Sequence, residues 1–101
     1  MSYIQELQSV IRKLHGVESK HLESVRVKET YQGKTVWEGA VEVFDLIGHP
    51  KAQRAYAWAH DGQRPKESSV AVLHIPPITS AAHAVRAALI QEFRNLETEE
   101  S

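Results

Sequence analysis

Apolar residues recur at helical spacing at the beginning of the chain. Four of them fall on one face of a helix: Ile4, Leu7, Ile11 and Leu14. Ser2 and Gln5 have the spacing of a capping box, and Gly16 stands where a C-cap glycine is expected. This pattern predicts a first helix over residues 3–15.

The middle of the chain alternates apolar and polar residues with the period of a β-strand. The alternation predicts strands over residues 22–31, 35–46, 53–60 and 69–75. Gly33 lies in the turn between the first two strands, and a polar loop over 61–68 separates the last two. The four predicted strands are joined by short connections, so we expect them to form an antiparallel meander.

The pairing of the first two strands follows from which side chains must share a face. If the numbers of paired residues sum to about 64 or 66, Val25 and Val27 lie beside Trp37 and Val41, and Arg26 and Lys28 lie beside Glu38. An odd sum would place valines opposite glutamates. We therefore expect a bulged turn with Gly33 at positive φ rather than a two-residue type I′ turn.

A second apolar stripe at helical spacing predicts a helix over about 80–96. Its members are Ala82, Val85, Leu89, Phe93 and Leu96. The element order is α-β-β-β-β-α, and the expected fold is α+β, a four-stranded antiparallel meander with two helices packed on one face. We expect a single domain over residues 1–96 and an acidic disordered tail over 97–101.

The third strand alternates large and small side chains, with Tyr56 and Trp58 on one face and three alanines on the other. Small alanines would let a helix approach closely, so we favour alanines beneath the helices and aromatics on the open face beside Phe44. The alternative places Tyr56 and Trp58 in the core beside Val41 and Val43, and leaves the alanines and Phe44 outside. Under either arrangement both faces are partly apolar, which is typical of an interface.

Composition narrows the function without identifying it. The chain of 101 residues is 42% hydrophobic and 25% charged and contains no cysteine, which excludes disulfides and thiolate metal sites. Neither a leader pattern nor a long apolar run is visible, so we expect a cytoplasmic protein without membrane contact. The formal net charge of -1 makes nucleic acid an unlikely partner.

Catalytic and cofactor motifs are not visible in the sequence. The six histidines show no metal-binding spacing, the glycines are too scattered for a phosphate loop, and no serine stands in a nucleophile motif. We therefore assign no catalytic, cofactor-binding or metal residue and expect a non-enzymatic protein. A pair formed by His60 and His74 across the third hairpin, completed by Glu38, stays open as a site.

These observations favour a small interaction module that forms a homodimer through its open sheet face, with another protein partner also possible. The residues expected at this face are Phe44, Tyr56, Trp58, Arg26, Lys28, Arg54 and His60. The alternative is a module that binds nucleic acid or another anionic ligand, with the aromatics stacking on bases and the basic residues contacting phosphates.

Overall fold

The computed structural model describes residues 2–60, 65 and 68–100, with side chains as far as Glu92. Its elements are α1 (Tyr3–His15), β1 (Glu18–Tyr31), β2 (Lys34–Ile47), β3 (Arg54–Ala59), β4 (Ser69–Leu73) and α2 (Ala81–Glu100). The strands form one antiparallel sheet in the order β1-β2-β3-β4. The α+β class and the four-stranded meander are confirmed. Most of the predicted loop over 61–68 lies outside the described residues, as do the side chains of Phe93 and Leu96.

The ends of α1 are set by the residues that the sequence indicated. The Ser2 hydroxyl accepts the Gln5 N–H at 3.2 Å, and the Gln5 side chain accepts the Ser2 N–H at 3.1 Å. These two bonds satisfy N–H groups that have no partner within a helix. Gly16 ends the helix with φ 72°, in the left-handed region that glycine adopts easily.

The hairpin of β1 and β2 contains both a two-residue turn and a bulge. Val25 pairs with Val41 and Lys28 with Glu38, which is the even register with a sum of 66, one of the two predicted values. The turn itself is Gln32-Gly33, with φ 52° and 78°, so the positive φ of Gly33 is confirmed and the exclusion of a two-residue turn is wrong. A register shift beyond Glu29 leaves Val36 as the extra residue. The bulge thus converts the odd pairing at the turn into the even pairing that the apolar faces require.

The two helices pack on opposite faces of the sheet, which corrects the expectation that both cover one face. Leu7 and Ile11 of α1 pack with a cluster of three buried residues: Phe44, Ala55 and Ala57. Ala84 and Val85 of α2 pack on the other face with four more: Val41, Val43, Tyr56 and Trp58. Because side chains alternate across a strand and both faces of β2 and β3 are apolar, each face needs its own cover.

The register of β2 and β3 decides which side chains lie under which helix. Val43 pairs with Tyr56, and Phe44 pairs with Ala55. The alanines therefore lie beneath a helix, as expected, but the aromatics lie beneath the other helix rather than on an open face.

At the other end of the chain, α2 extends to Glu100 and covers residues 97–100 of the expected acidic tail. No proline or glycine interrupts residues 93–100, and glutamate and leucine are good helix formers.

Candidate interaction edge

The aromatic residues expected on an open face are buried inside the chain. Phe44, Tyr56 and Trp58 are 0%, 4% and 2% exposed. Phe44 lies under α1, whereas Tyr56 and Trp58 lie under α2. The three side chains therefore form neither one surface nor a platform on which bases stack, and their assignment to an interface is corrected.

The basic residues of the expected site are exposed but separated from one another. Arg26 and Lys28 are exposed on the α1 side of the first hairpin, and Lys28 pairs across the strands with Glu38. Arg54 lies on β3, where its Nε is 3.4 Å from a carboxylate oxygen of Asp45. The structure therefore does not bring the three together into one basic patch.

The two histidines proposed to form a site lie at opposite ends of β3. The His60 N–H bonds to Ser68, and the His74 N–H bonds to Arg54, so six strand positions, about 20 Å, separate them. His74 Nδ1 instead lies 2.6 Å from the Tyr56 hydroxyl. Within the described part of the chain, no group of three or more His, Cys, Asp or Glu side chains is arranged to hold a metal ion.

A buried carboxylate that the sequence reading did not single out lies on the α1 face. The Glu42 side chain is buried, its Oε1 is 2.8 Å from His21 Nε2, and the same oxygen accepts the Ser24 hydroxyl. Because the serine donates to the carboxylate and not to the imidazole, histidine does not activate it as a base would. These hydrogen bonds give the buried carboxyl group partners and link β1 to β2.

A cavity of about 450 Å³ opens between the tip of the first hairpin and α2. Tyr31, Val36 and Ile90 line it and are 66%, 42% and 47% exposed. Glu29 and Arg86, whose Oε1 and Nη2 are 3.2 Å apart, supply its charged groups. The pair neutralises itself, so the cavity presents no net charge to a ligand.

The outer edge of β4 is the feature with the clearest binding chemistry. His60 bonds to Ser68 and His74 bonds to Arg54, which fixes the even-numbered residues of β4 as those that bond to β3. The backbone groups of Ser69, Ala71 and Leu73 therefore point away from the sheet.

Two of these outward groups have partners. His15 Nε2 lies 3.3 Å from the Ala71 carbonyl oxygen, and the Leu73 carbonyl accepts the N–H of Ile75 at 3.0 Å. The outward N–H groups of Ala71 and Leu73 have no partner among the residues that the structure describes. Unpaired backbone groups along an edge strand are a template on which another strand can pair.

The two edge strands of the sheet, β1 and β4, differ in how well they are protected against pairing with another strand. β1 has a register shift at Leu22 and carries charged side chains along its length: Glu18, Lys20, Glu23, Arg26, Lys28 and Glu29. Charges and bulges are the usual means of preventing edge pairing. β4 contains neither a charge nor a proline, and its register with β3 is regular. Its uncharged, valine-rich sequence at the end of the meander was the signal that could have identified this edge.

No helix in the described part of the chain has the length and apolar character needed to cross a membrane. Comparisons with protein-family models, with curated proteins and with solved structures gave no match.

Proposed function

We propose that the chain is a non-enzymatic protein-interaction module that binds an extended peptide segment along the outer edge of β4. The observation that carries this proposal is the pair of outward N–H groups at Ala71 and Leu73, which have no partner among the described residues and lie on a strand without protective charges. In strand addition, backbone hydrogen bonds supply the affinity and pockets for alternate side chains supply the specificity.

Grooves on both sides of this edge support the proposal. On the α2 face, Val70 and Val72 line a groove of about 340 Å³ together with Ala87 and Ala88 of the helix. On the α1 face, Leu14 is 60% exposed and lines a groove that reaches Ser69. Successive side chains of an added strand point to opposite faces, so each groove would take every second one. The partner segment is therefore apolar on at least its α2-facing side.

The alternative of nucleic-acid binding has less support. Tyr56 and Trp58 are buried beneath α2, so the proposed stacking residues do not reach a base. Arg26 and Lys28 stay exposed, but Glu38 lies directly opposite Lys28. With a net charge of -1, the chain offers little attraction to a polyanion.

The probe for this proposal is a capped synthetic peptide with the sequence of residues 68–74, added to dilute full-length chain. Peptide binding should slow amide hydrogen exchange at Ala71 and Leu73, because their N–H groups then donate to the peptide. It should leave the exchange of the β1 amides unchanged. Unchanged exchange at Ala71 at saturating peptide would overturn the proposal.

Ala71→Pro and Ala71→Ser form a matched pair of variants. Proline at this position removes the outward N–H. It breaks no hydrogen bond to β3, so the sheet should be retained. Serine keeps the N–H at nearly the same side-chain size. We expect Ala71→Pro to weaken peptide binding about tenfold or more, and Ala71→Ser to bind like the wild type. Equal binding by both variants would show that the peptide does not pair at this edge.

A further inference from the structure

We propose that the strand added to β4 is β4 of a second copy of this chain, related by a two-fold axis that passes beside Ala71. This inference rests on the proposed function, because it names the occupant of the same edge. Two-fold dimers are the commonest oligomers, and their interfaces pair a surface with itself. The edge of β4 has the backbone geometry that such self-pairing requires.

The position of Ala71 within the strand is the first observation. β4 runs from Ser69 to Leu73, so Ala71 is its central residue, and its N–H and C=O both point outward. Antiparallel pairing about a two-fold axis then matches Ala71 with Ala71 of the second copy as a hydrogen-bonded pair. The same register lets the Leu73 N–H donate to the carbonyl of Ser69 in the second copy. The N–H groups of Ala71 and Leu73 thus both find acceptors.

The side chains of β4 permit this register. Val70 would lie directly opposite Val72 of the second copy, and pairs of β-branched residues favour strand pairing. β4 carries no charge, so two copies of the edge do not repel each other. His15 Nε2 is 3.3 Å from the Ala71 carbonyl oxygen, which has two lone pairs and can accept a second hydrogen bond.

The area needed for a stable dimer extends beyond the strand itself. Five residues span about 17 Å, whereas a specific interface buries ~800 Å² on each partner. The exposed Leu14 on one face and the groove beside Ala87 and Ala88 on the other supply apolar surface next to the paired edges. The second copy would cover both, since the two-fold axis keeps like faces on the same side.

The test uses the absence of cysteine in the chain. In the proposed register Val70 and Val72 of the second copy form a non-hydrogen-bonded pair with Cα atoms about 4.5 Å apart, within the range of a disulfide. Val70→Cys and Val72→Cys variants are prepared and oxidised mildly, separately and as an equimolar mixture. The equimolar mixture should give several times more linked dimer than either variant alone, because only the mixed pair brings the two thiols together.

Sedimentation equilibrium of the unmodified chain is the companion measurement, and it should show a dimer at high micromolar concentration. A monomer at that concentration, equal linkage in all three samples, or preferential linkage in a single variant would each overturn the two-fold register. If the peptide of residues 68–74 still protects Ala71 in that case, the proposed function stands and only its occupant is wrong. If neither the peptide nor a second copy pairs with β4, both proposals fail.

Discussion

Val43 and Phe44, neighbours in β2, are buried on opposite faces of the sheet, Val43 beneath α2 and Phe44 beneath α1. Their exposures are 3% and 0%, so the strand has no solvent-facing side at this point. The same holds for Tyr56 and Ala55, their partners in β3. The chain therefore has two separate buried clusters with the sheet between them.

Two separate clusters imply independent energetic effects. Ile11→Val in the α1 cluster should lower the free energy of unfolding by about 0.5–1.5 kcal/mol. Val85→Ala in the α2 cluster should lower it by about 1.5–3 kcal/mol. In urea unfolding, the double variant should lose the sum of the two within about 0.5 kcal/mol. A larger coupling would indicate that the helices share one core.

Trp58 is expected to stabilise the fold rather than a dimer. The side chain is 2% exposed and packs edge-on against Trp37, with ring centroids 5.8 Å apart. Trp58→Ala should lower the free energy of unfolding by about 3–5 kcal/mol. Tyr31→Ala is the control, since Tyr31 is 66% exposed and its loss should cost less than about 0.5 kcal/mol. A stable Trp58→Ala variant with altered association would restore the interface assignment.

Local patterns in the sequence predicted the helices and strands well, because the start and end of each element depend on residues close together in the sequence. Ser2, Gln5 and Gly16 determine the ends of α1 through contacts within one turn, and the matching of faces was enough to predict that Val25 and Val41 share a face. The face that a helix covers depends instead on residues far apart in the sequence. The alternation in β3 showed that both faces of the strand are apolar. It did not show that α1 covers one face and α2 the other.

The candidate site was harder to predict for a similar reason. Phe44 and Trp58 are large and apolar, and in a sequence such residues fit a core as well as an interface. The outward N–H of Ala71 is a backbone property that depends on which hydrogen bonds β3 and β4 exchange. No side chain determines which residues of β4 bond to β3, so the outward direction of this N–H follows only from the strand pairing.

Substitutions at the two turn residues of the first hairpin should each have a small effect on stability. Gly33 has φ 78°, and an added β-carbon would meet no atom within 4 Å, so the cost of Gly33→Ala is conformational. We expect a loss of about 1 kcal/mol in urea unfolding. Gln32 also has positive φ, which asparagine tolerates better, so Gln32→Asn should raise stability by a few tenths of a kcal/mol. A gain in stability from Gly33→Ala, or a loss from Gln32→Asn, would contradict the two-residue turn.

The buried phenol of Tyr56 makes the fold sensitive to alkaline pH. Burial, the largest cause, raises the pKa of Tyr56 above its ordinary value of 10.0, and Glu23 adds to the rise while Arg54 opposes it. The unfolded chain therefore loses this proton at lower pH than the folded chain does. Its contribution to stability is complete below about pH 10 and is lost as the pH rises through the folded value.

Tyr56→Phe tests this prediction, because it keeps the ring and removes the titrating hydroxyl. Near neutral pH the free energy of unfolding of the variant should be lower by about 1 kcal/mol, because the hydrogen bond between the Tyr56 hydroxyl and His74 is lost. Between neutral and strongly alkaline pH, its unfolding free energy should fall less than that of the wild type. Tyr31→Phe, at an exposed position, should follow the wild-type profile. Identical alkaline slopes for Tyr56→Phe and the wild type would show that this phenol titrates alike in the folded and unfolded chain.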